Sequence, residues 1–455
     1  MTSVNRSALQ RRVWRWHFFA GLLVVPFTVI IALTGAIYLF KPQFDSAIEQ
    51  KINSKSDFAT VESKTIETQQ ALDAVLYVHP DANLVRLILP RSERDHTLEA
   101  EIIVNGTSRT VWVDKLNGAI LHDVPTASRV MGIVKRIHGT LLSGDVGSLV
   151  VEIVACWVLI LLLTGLYLWW PRGVVWWRAF IPELVPHGKR ENWKRLHGSV
   201  GAWIGLVAVV MVLSGLPWTQ VWGEGFSRAK ALAGLQSPGQ VWFVTLQSSD
   251  PHTLHEMGGT LWETENRVPE RNASLPVESI ASSPLSVDEI VTQAMNEGFE
   301  APVWVQPPRG ENGVWTVRGM SPNRLRQETV HYDRWTGEQV MRIRFDDHNI
   351  VDRTMALGVS FHEGALFGWF NQVIALLAAL GIVGLSMTGA IMWWKRRPAG
   401  RMAVPPMPSD RKIAIGVVGL ILILGVFLPM AGLTLIVALV LNALWAGVHR
   451  LRQTG

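Results

Sequence analysis

The chain has 455 residues, of which 49% are hydrophobic and 17% are charged, and its formal net charge is +5. Several apolar runs of about 20 residues are long enough to cross a bilayer, so the composition excludes a purely soluble protein. Much of the lysine and arginine stands beside these runs, so the positive charge gives no reason to expect a nucleic-acid partner. The single cysteine, Cys156, excludes an internal disulfide.

Four of the apolar runs predict a core of membrane spans, and the charges beside them predict its orientation. The first 16 residues contain four arginines and no acidic residue, so the positive-inside rule places them in the cytoplasm. No small-residue cleavage site follows the first run, which we therefore interpret as a retained span. The predicted fold class is an α-helical membrane protein whose four-span core consists of two tandem repeats of span, α+β domain and span.

The chain order divides into seven predicted segments. They are a cytoplasmic N-terminus with span 1 (1–40), an outer domain (41–136), span 2 (137–172), a cytoplasmic loop with span 3 (173–218), a second outer domain with an insert (219–358), span 4 (359–398) and a C-terminal two-span hairpin (399–455). The hairpin lies outside the repeat, and it either packs against the core or docks a partner. We favour packing.

Each outer segment predicts one helix followed by strands. In the first segment a helix near 65–79 precedes the alternating patterns NLVRLILP, LEAEIIVN and TVWVDKLNGAILHD. In the second a helix near 286–298 precedes APVWVQPP, GVWTVRGM and ETVHYDRWTGEQVMRIRF. The hairpin turns VDKLNG and YDRWTG align between the two segments, which supports the repeat.

The spans themselves repeat a histidine and a small-residue pair at fixed spacing. His17 and Gly35 are 18 residues apart, and so are His197 and Gly215. Eighteen residues return to the same helix face about 27 Å along the axis, so each histidine shares a face with a glycine near the other end of its span.

The other two spans repeat a longer interval. His138 and Gly165 are 27 residues apart, and so are His362 and Gly389. One continuous helix over this interval would be about 40 Å long, which exceeds the hydrocarbon thickness. A break is therefore expected near Gly144, and both histidines are expected on a short turn before the membrane.

The topology places these histidines at two membrane levels. Spans 1 and 3 run in the same direction, which puts His17 and His197 near the cytoplasmic face. Spans 2 and 4 run the other way, which puts His138 and His362 at the outer face. Two imidazoles at each level suit two bis-histidine haems, because haem iron takes one axial ligand on each side.

The small residues fit the same interpretation, because glycine lets a flat ring approach a helix. Gly35 and Gly215 are predicted to make room for the outer haem, and Gly165 and Gly389 for the inner one. Plain helix packing explains such residues equally well. Zinc or copper is less favoured, since each helix supplies one histidine and neither cysteine nor carboxylate joins it at a fixed spacing.

Other candidates are weaker. Glu152 lies inside span 2, and an intramembrane acid is a candidate for a proton or haem-edge role. His252 and His255 are candidates for a substrate contact, and His449 for a lipid head-group contact. Recognisable nucleotide-binding and flavin-binding motifs are absent from the sequence.

The histidine-containing stretches resemble the PepSY-associated transmembrane family. The resemblance covers roughly residues 10–398 and is carried by RRVWRWHFFAGL with TGAIYLF, IHGTLLSGDVG with TGLYLWWPR, WKRLHGSVGAW, and FHEGALFGWFNQ with TGAIMWWKRRP. It implies PepSY-type outer domains and an inner-membrane di-haem b reductase of the ferrioxamine-reductase type. In such a protein electrons cross the membrane by haem and reduce a ferric siderophore, or another Fe(III) chelate, to Fe(II) in the periplasm.

The resemblance also implies the ligands and partners. Carried over by their segments, the axial ligands are His17, His197, His138 and His362. The expected partners are the ferric chelate, an unidentified quinol or cytoplasmic electron donor, and the lipid bilayer, with both termini in the cytoplasm. Two alternatives stay open: a PepSY-type periplasmic binding or regulatory protein without redox chemistry, and a transporter subunit, which a two-fold repeat also permits.

Overall fold

The structure is a computed structural model that describes residues 3–55, 66–91, 95–171, 176–181, 189–235, 285–308, 313–397, 423 and 425–454. The chain forms two compact units. The helical unit contains Met1–Ile37, Val134–Ala229 and Gln372–Gly455, and the sheet unit contains Tyr38–Ile133 and Lys230–Asn371. Each unit is described by itself.

The described helices of eight or more residues are α1 (Ser3–Tyr38), α2 (Lys41–Asn53), α3 (Thr68–Val78), α4 (Val130–Thr140), α5 (Gly144–Trp169), α6 (Lys189–Gly215), α7 (Gln220–Leu232), α8 (Val287–Asn296), α9 (Ile350–His362), α10 (Trp369–Arg396) and α11 (Pro429–Thr454). The strands are β1 (Asn83–Ile88), β2 (Thr97–Val104), β3 (Thr107–Asp114), β4 (Ile120–Pro125), β5 (Val303–Gln306), β6 (Trp315–Gly319), β7 (Glu328–Tyr332) and β8 (Gln339–Arg344). The helices and strands predicted in the two outer segments are confirmed.

Four helical stretches among the described residues are long and apolar enough to cross a membrane. They are Leu9–Tyr38, Gly144–Trp169, Arg190–Trp218 and Trp369–Arg396. A stretch of 26 to 30 residues rises about 40 Å, which covers the hydrocarbon core of a bilayer with its interfaces. The four predicted core spans are therefore present as helices.

The break before the second span is confirmed. α4 ends at Thr140 and α5 begins at Gly144, with the left-handed φ angles of Leu141 and Leu142 between them. A Cβ added at Gly147 would lie 1.7 Å from the carbonyl oxygen of Thr140, so only glycine permits this turn. The histidine was expected on the turn itself, and this detail is wrong: His138 lies in the last turn of α4, because the preceding residues continue as helix.

The C-terminal segment packs on the second span. Trp157 of α5 donates its indole N–H to the hydroxyl of Thr434 at 3.0 Å, and Leu435 joins the apolar cluster around Trp157. Pro429–Leu441 is an apolar stretch within the described part of α11. Most of the preceding predicted span lies outside the described residues, so the two-span hairpin stays a prediction.

The sheet unit contains one antiparallel sheet of eight strands in the order β4-β3-β2-β1-β5-β6-β7-β8. Strands β1 and β5 join its two halves, with Leu87 opposite Val305. α3 and α8 cover one face, and a single apolar cluster includes residues of both helices and both halves. The segments 41–136 and 219–358, predicted as separate outer domains, therefore share a sheet and a core.

The two aligned turns close their hairpins by the same device. Asp114 accepts a hydrogen bond from the backbone N–H of Leu116 at 2.9 Å, and Asp333 accepts one from Trp335 at 2.7 Å. Gly118 and Gly337 have φ angles of 75° and 73°, a region that glycine enters without strain. Aspartate and glycine are thus required by the turn geometry.

Candidate functional site

The helical unit brings two of the predicted histidines together. His17 lies on α1 and His197 on α6, and their ring centres are 6.3 Å apart with the ring planes at 88°. The two residues are far apart in sequence and meet because their helices pack in one bundle. This pair is the core of the candidate site.

The Thr-Gly pair of α5 holds the first imidazole. Thr164 Oγ1 lies 2.9 Å from Nδ1 of His17. A Cβ added at Gly165 would lie 3.2 Å from Cε1 of the same ring, tighter than an ordinary side-chain contact. The glycine therefore gives the imidazole room to reach the threonine beside it.

The Thr-Gly pair of α10 holds the second imidazole in the same way. Thr388 Oγ1 lies 2.9 Å from Nδ1 of His197. A Cβ added at Gly389 would lie 3.7 Å from Cε1 of the ring, which is an ordinary van der Waals distance. Thr388 thus contacts His197 as Thr164 contacts His17. The space between Gly389 and the ring is larger than that between Gly165 and His17.

A third histidine meets the Thr-Gly pair of α1. Nδ1 of His138 lies 2.9 Å from the carbonyl oxygen of Ile31 and 3.4 Å from Oγ1 of Thr34. A Cβ added at Gly35 would lie 2.9 Å from Cε1 of His138, closer than real Cβ contacts come. These glycines were predicted to make room for porphyrin; the structure places them at the histidine rings, and their contact with porphyrin stays a prediction.

The fourth histidine and the fourth glycine lie in different units. His362 is the last residue of α9, in the sheet unit, and Gly215 is the last residue of α6, in the helical unit. The pairing of His362 with His138, and the place of Gly215 beside a haem, stay predictions.

Sequence reasoning missed two features of the site. The threonines were noted only as part of small-residue pairs, although each contacts a histidine. Gly198 was also missed: a Cβ added there would lie 2.8 Å from Cδ1 of Trp169, so this glycine admits an indole ring next to His197. The His-Gly dipeptides at His138 and His197 were the available signal.

Glu152 has a structural role in this fold. It is fully buried on α5, and its two carboxylate oxygens accept the backbone N–H groups of Val221 and Trp222 at 2.9 and 3.0 Å. Glu152 thus caps the first turn of α7. His252 and His255 lie outside the described residues, and His449 lies on α11.

The geometry of the inner pair fits two axial ligands of one iron. Metal–imidazole bonds are about 2.0 Å long, so two coaxial imidazoles on opposite sides of an iron have ring centres about 6 Å apart. The observed separation is 6.3 Å. Among the described residues, no group of three or more histidine, cysteine, aspartate or glutamate side chains could hold a metal ion.

The fold and the four spans define an α-helical multi-pass membrane protein. The family described as the PepSY-associated TM region matches residues 14–396, and the chain belongs to this family. The family assignment drawn from the histidine-containing stretches is therefore confirmed. None of the curated proteins matches the chain.

Proposed function

We propose that this protein is a di-haem b reductase of the bacterial inner membrane. It takes electrons from a quinol or a cytoplasmic donor and reduces the Fe(III) of a siderophore or similar chelate in the periplasm. The product is Fe(II), which such chelates hold weakly and release. The observation that carries the proposal is the pair of imidazoles of His17 and His197, 6.3 Å apart between two spans.

Four histidines are proposed to bind and orient the cofactor, three of them in the helical unit and His362 in the sheet unit. His17 and His197 are the proposed ligands of the inner haem, and His138 with His362 of the outer one. When bound, haem b would supply a one-electron carrier, and ligation by two imidazoles would favour electron transfer over oxygen chemistry. The positions of His17 and His197 on two different helices support the proposal, because bundles that bind cofactors take their ligands from facing helices.

The proposed orientation has support in the helical unit. The guanidinium carbon of Arg396, at the end of α10, lies 4.5 Å from the centre of the Trp14 ring, near the start of α1. The basic ends of the first and fourth spans therefore lie at the same level. Basic residues favour the cytoplasmic side, so this level is proposed to be cytoplasmic, with the two halves of the sheet in the periplasm.

Haem content tests the ligand assignment. The full-length protein, purified in detergent, is expected to contain two haems per chain. Its absorption spectrum should be that of low-spin haem and should shift on reduction with dithionite. His17→Ala should remove one haem and keep the other. The matched control is His122→Ala on β4, an exposed histidine outside the site, which should keep both.

Electron transfer tests the reaction. Protein reduced with dithionite and freed of excess reductant should be reoxidised by a ferric chelate, with one Fe(II) formed for each electron lost. A gallium chelate of the same siderophore, which is not reducible under these conditions, should leave the protein reduced. A folded protein without haem would instead favour a PepSY-type binding or regulatory role.

A further inference from the structure

The hydroxyl group of each site threonine has only one proton to donate, and each lies within hydrogen-bond distance of a backbone carbonyl oxygen of its own helix. Thr164 Oγ1 donates to the carbonyl oxygen of Ile160 at 2.7 Å, one turn earlier on α5. Thr388 Oγ1 donates to the carbonyl oxygen of Gly384 at 2.8 Å, one turn earlier on α10. Both hydroxyl protons are therefore engaged within their own helices, and the oxygens face the histidines as acceptors.

These bonds favour one tautomer of the two imidazoles. When Oγ1 of each threonine donates within its own helix it accepts from the histidine, and Nδ1 of His17 and Nδ1 of His197 then carry the proton that is donated. In a neutral imidazole the proton on Nδ1 leaves a lone pair on Nε2. The nitrogen required for binding iron is thus the one left without a proton.

The third histidine reaches the same tautomer by another route. Nδ1 of His138 lies 2.9 Å from the carbonyl oxygen of Ile31, which can only accept. Thr34 Oγ1 is more distant, at 3.4 Å, and donates to the carbonyl oxygen of Ile30 at 2.7 Å. The backbone therefore performs at His138 the task that a threonine hydroxyl performs at His17, and at His197 the backbone carbonyl of Leu385 contributes beside Thr388.

We propose that Thr164 and Thr388 are positioning residues that hold His17 and His197 as Nδ1–H tautomers and raise the basicity of Nε2 toward haem iron. The inference rests on the proposed function for its haem part, and on hydrogen bonding within the protein for the tautomer. An acceptor on the far nitrogen makes imidazole a stronger ligand and stabilises the more highly charged metal. Loss of the acceptor weakens ferric haem binding more than ferrous binding.

The test uses shape-matched variants of the full-length protein. Thr164→Val removes the acceptor, keeps the side-chain volume and should weaken haem binding at the inner site about ten- to a hundredfold. Thr388→Val should have a smaller effect in the same direction, because the carbonyl oxygen of Leu385 still accepts from His197. If the ferric form loses tenfold more affinity than the ferrous form, the midpoint potential of that haem rises by about 59 mV. Thr164→Ser keeps the hydroxyl and should retain the wild-type affinity and potential.

Two threonines of α1 serve as controls. Thr28 is buried and donates to the carbonyl oxygen of Val24 at 2.9 Å, the same kind of bond inside its helix that the site threonines make. Thr28→Val should leave both potentials unchanged. Thr34→Val should leave His138 as a donor to Ile31 and change the outer potential less than Thr164→Val changes the inner one.

A measurement on haem-free protein tests the tautomer directly. With ¹⁵N-labelled histidine, NMR of haem-stripped wild type should show His17 with a protonated Nδ1 and an unprotonated Nε2, and Thr164→Val should lose this preference. A proton on Nε2 in the wild type would overturn the inference.

The failure of the inference is distinct from the failure of the proposed function. If the wild type binds haem but the valine variants keep its affinity and potential, the inference is wrong and the proposed function stands. If the wild type contains no haem, the proposed function and the haem part of the inference are wrong, and the ¹⁵N measurement alone decides the tautomer.

Discussion

Asp288, in the first turn of α8, accepts a hydrogen bond from the backbone N–H of Gln69 at 3.1 Å, and its other oxygen accepts the N–H of Thr68. Glu67, the residue before α3, makes no capping bond with its side chain. The first turn of α3 is therefore capped by a residue 219 positions later in the chain. This contact joins the two halves of the sheet unit on the helix-covered face.

Asp288→Ala should destabilise the sheet unit, since it leaves two N–H groups of α3 without their acceptor. Loss of a helix cap costs about 1 kcal/mol, within a range of 0.5 to 2. Hydrogen exchange should show faster exchange of the α3 amides, with a lower Tm of the full-length protein. Asp81→Ala, which removes an exposed acid from the same unit, should change neither; equal exchange in the two variants would contradict the cap.

The sequence predicted the strands of this unit but not their union into one sheet. Alternating apolar residues identify each strand, and the aligned Asp and Gly residues identify the turns, because these signals are local. The pairing of β1 with β5 and the capping of α3 by Asp288 depend on which edges and helix ends meet. A single sequence contains no local pattern for such contacts.

The buried side chain of His331, on β7, leads us to predict that the sheet unit becomes less stable at acidic pH. Its side chain is 1% exposed, and Nδ1 lies 2.9 Å from Oγ1 of Thr316 on the neighbouring strand. Burial lowers the pKa of His331 to about 3, and the nearby charge of Arg318 lowers it in the same direction. The folded protein therefore holds this histidine neutral where an unfolded chain would protonate it.

The stability contributed by a neutral His331 should be present in full above about pH 6.5 and be lost as pH falls toward 3. The unfolded state binds a proton in that interval and the folded state does not, so the free energy of unfolding falls by up to about 1.4 kcal/mol per pH unit. Tm measured from pH 7 to pH 4 should fall less steeply for His331→Gln than for the wild type. The exposed His122→Gln should keep the wild-type slope, and parallel curves for all three proteins would refute the prediction.

The two capping bonds of Glu152 predict an effect on stability, and the proton or haem-edge role that its position suggested stays a prediction. Glu152→Leu leaves the N–H groups of Val221 and Trp222 unpaired in a buried site, at about 1 to 3 kcal/mol for each group. Glu152→Gln keeps one acceptor oxygen and should cost less. Tm in detergent should fall in that order, with the haem spectrum and the potentials unchanged.

The matched control is Asp145→Asn, which alters an exposed hydrogen bond from Gln220 at 2.9 Å near the same helix end. It should change the free energy of unfolding by less than about 0.5 kcal/mol and leave Tm close to that of the wild type. A variant of Glu152 with normal Tm and slowed chelate reduction would restore the functional interpretation.

Much of the candidate site was accessible from sequence, because the fixed His-Gly intervals and the span directions predict which residues share a membrane level. The partner of each histidine was not accessible. His17 contacts Thr164 and Gly165 from another span, and the depth of a residue does not specify which helix faces it. Glu152 shows the same limit: its burial was predictable, but its capping of α7 depends on a chain reversal after the third span.

Alanine substitutions at the three glycines beside the histidine rings should destabilise the protein to different degrees. An added Cβ would lie 2.9 Å from the ring at Gly35, 3.2 Å at Gly165 and 3.7 Å at Gly389. Overpacking of a close contact costs about 1 to 3 kcal/mol, whereas an ordinary contact leaves only the gain of helix propensity from glycine to alanine, about 1 kcal/mol. Gly35→Ala should therefore destabilise most, Gly165→Ala less, and Gly389→Ala little or not at all.

Haem content should follow the same order, because a displaced imidazole is a poorer ligand. Gly205→Ala on α6 is the control, since an added Cβ there meets nothing within 4 Å. It should keep full haem content with an unchanged or slightly higher Tm. Equal loss in all four variants would mean that alanine disturbs the bundle in general, and a loss at Gly389 larger than that at Gly35 would show that the distance to the imidazole does not determine the effect.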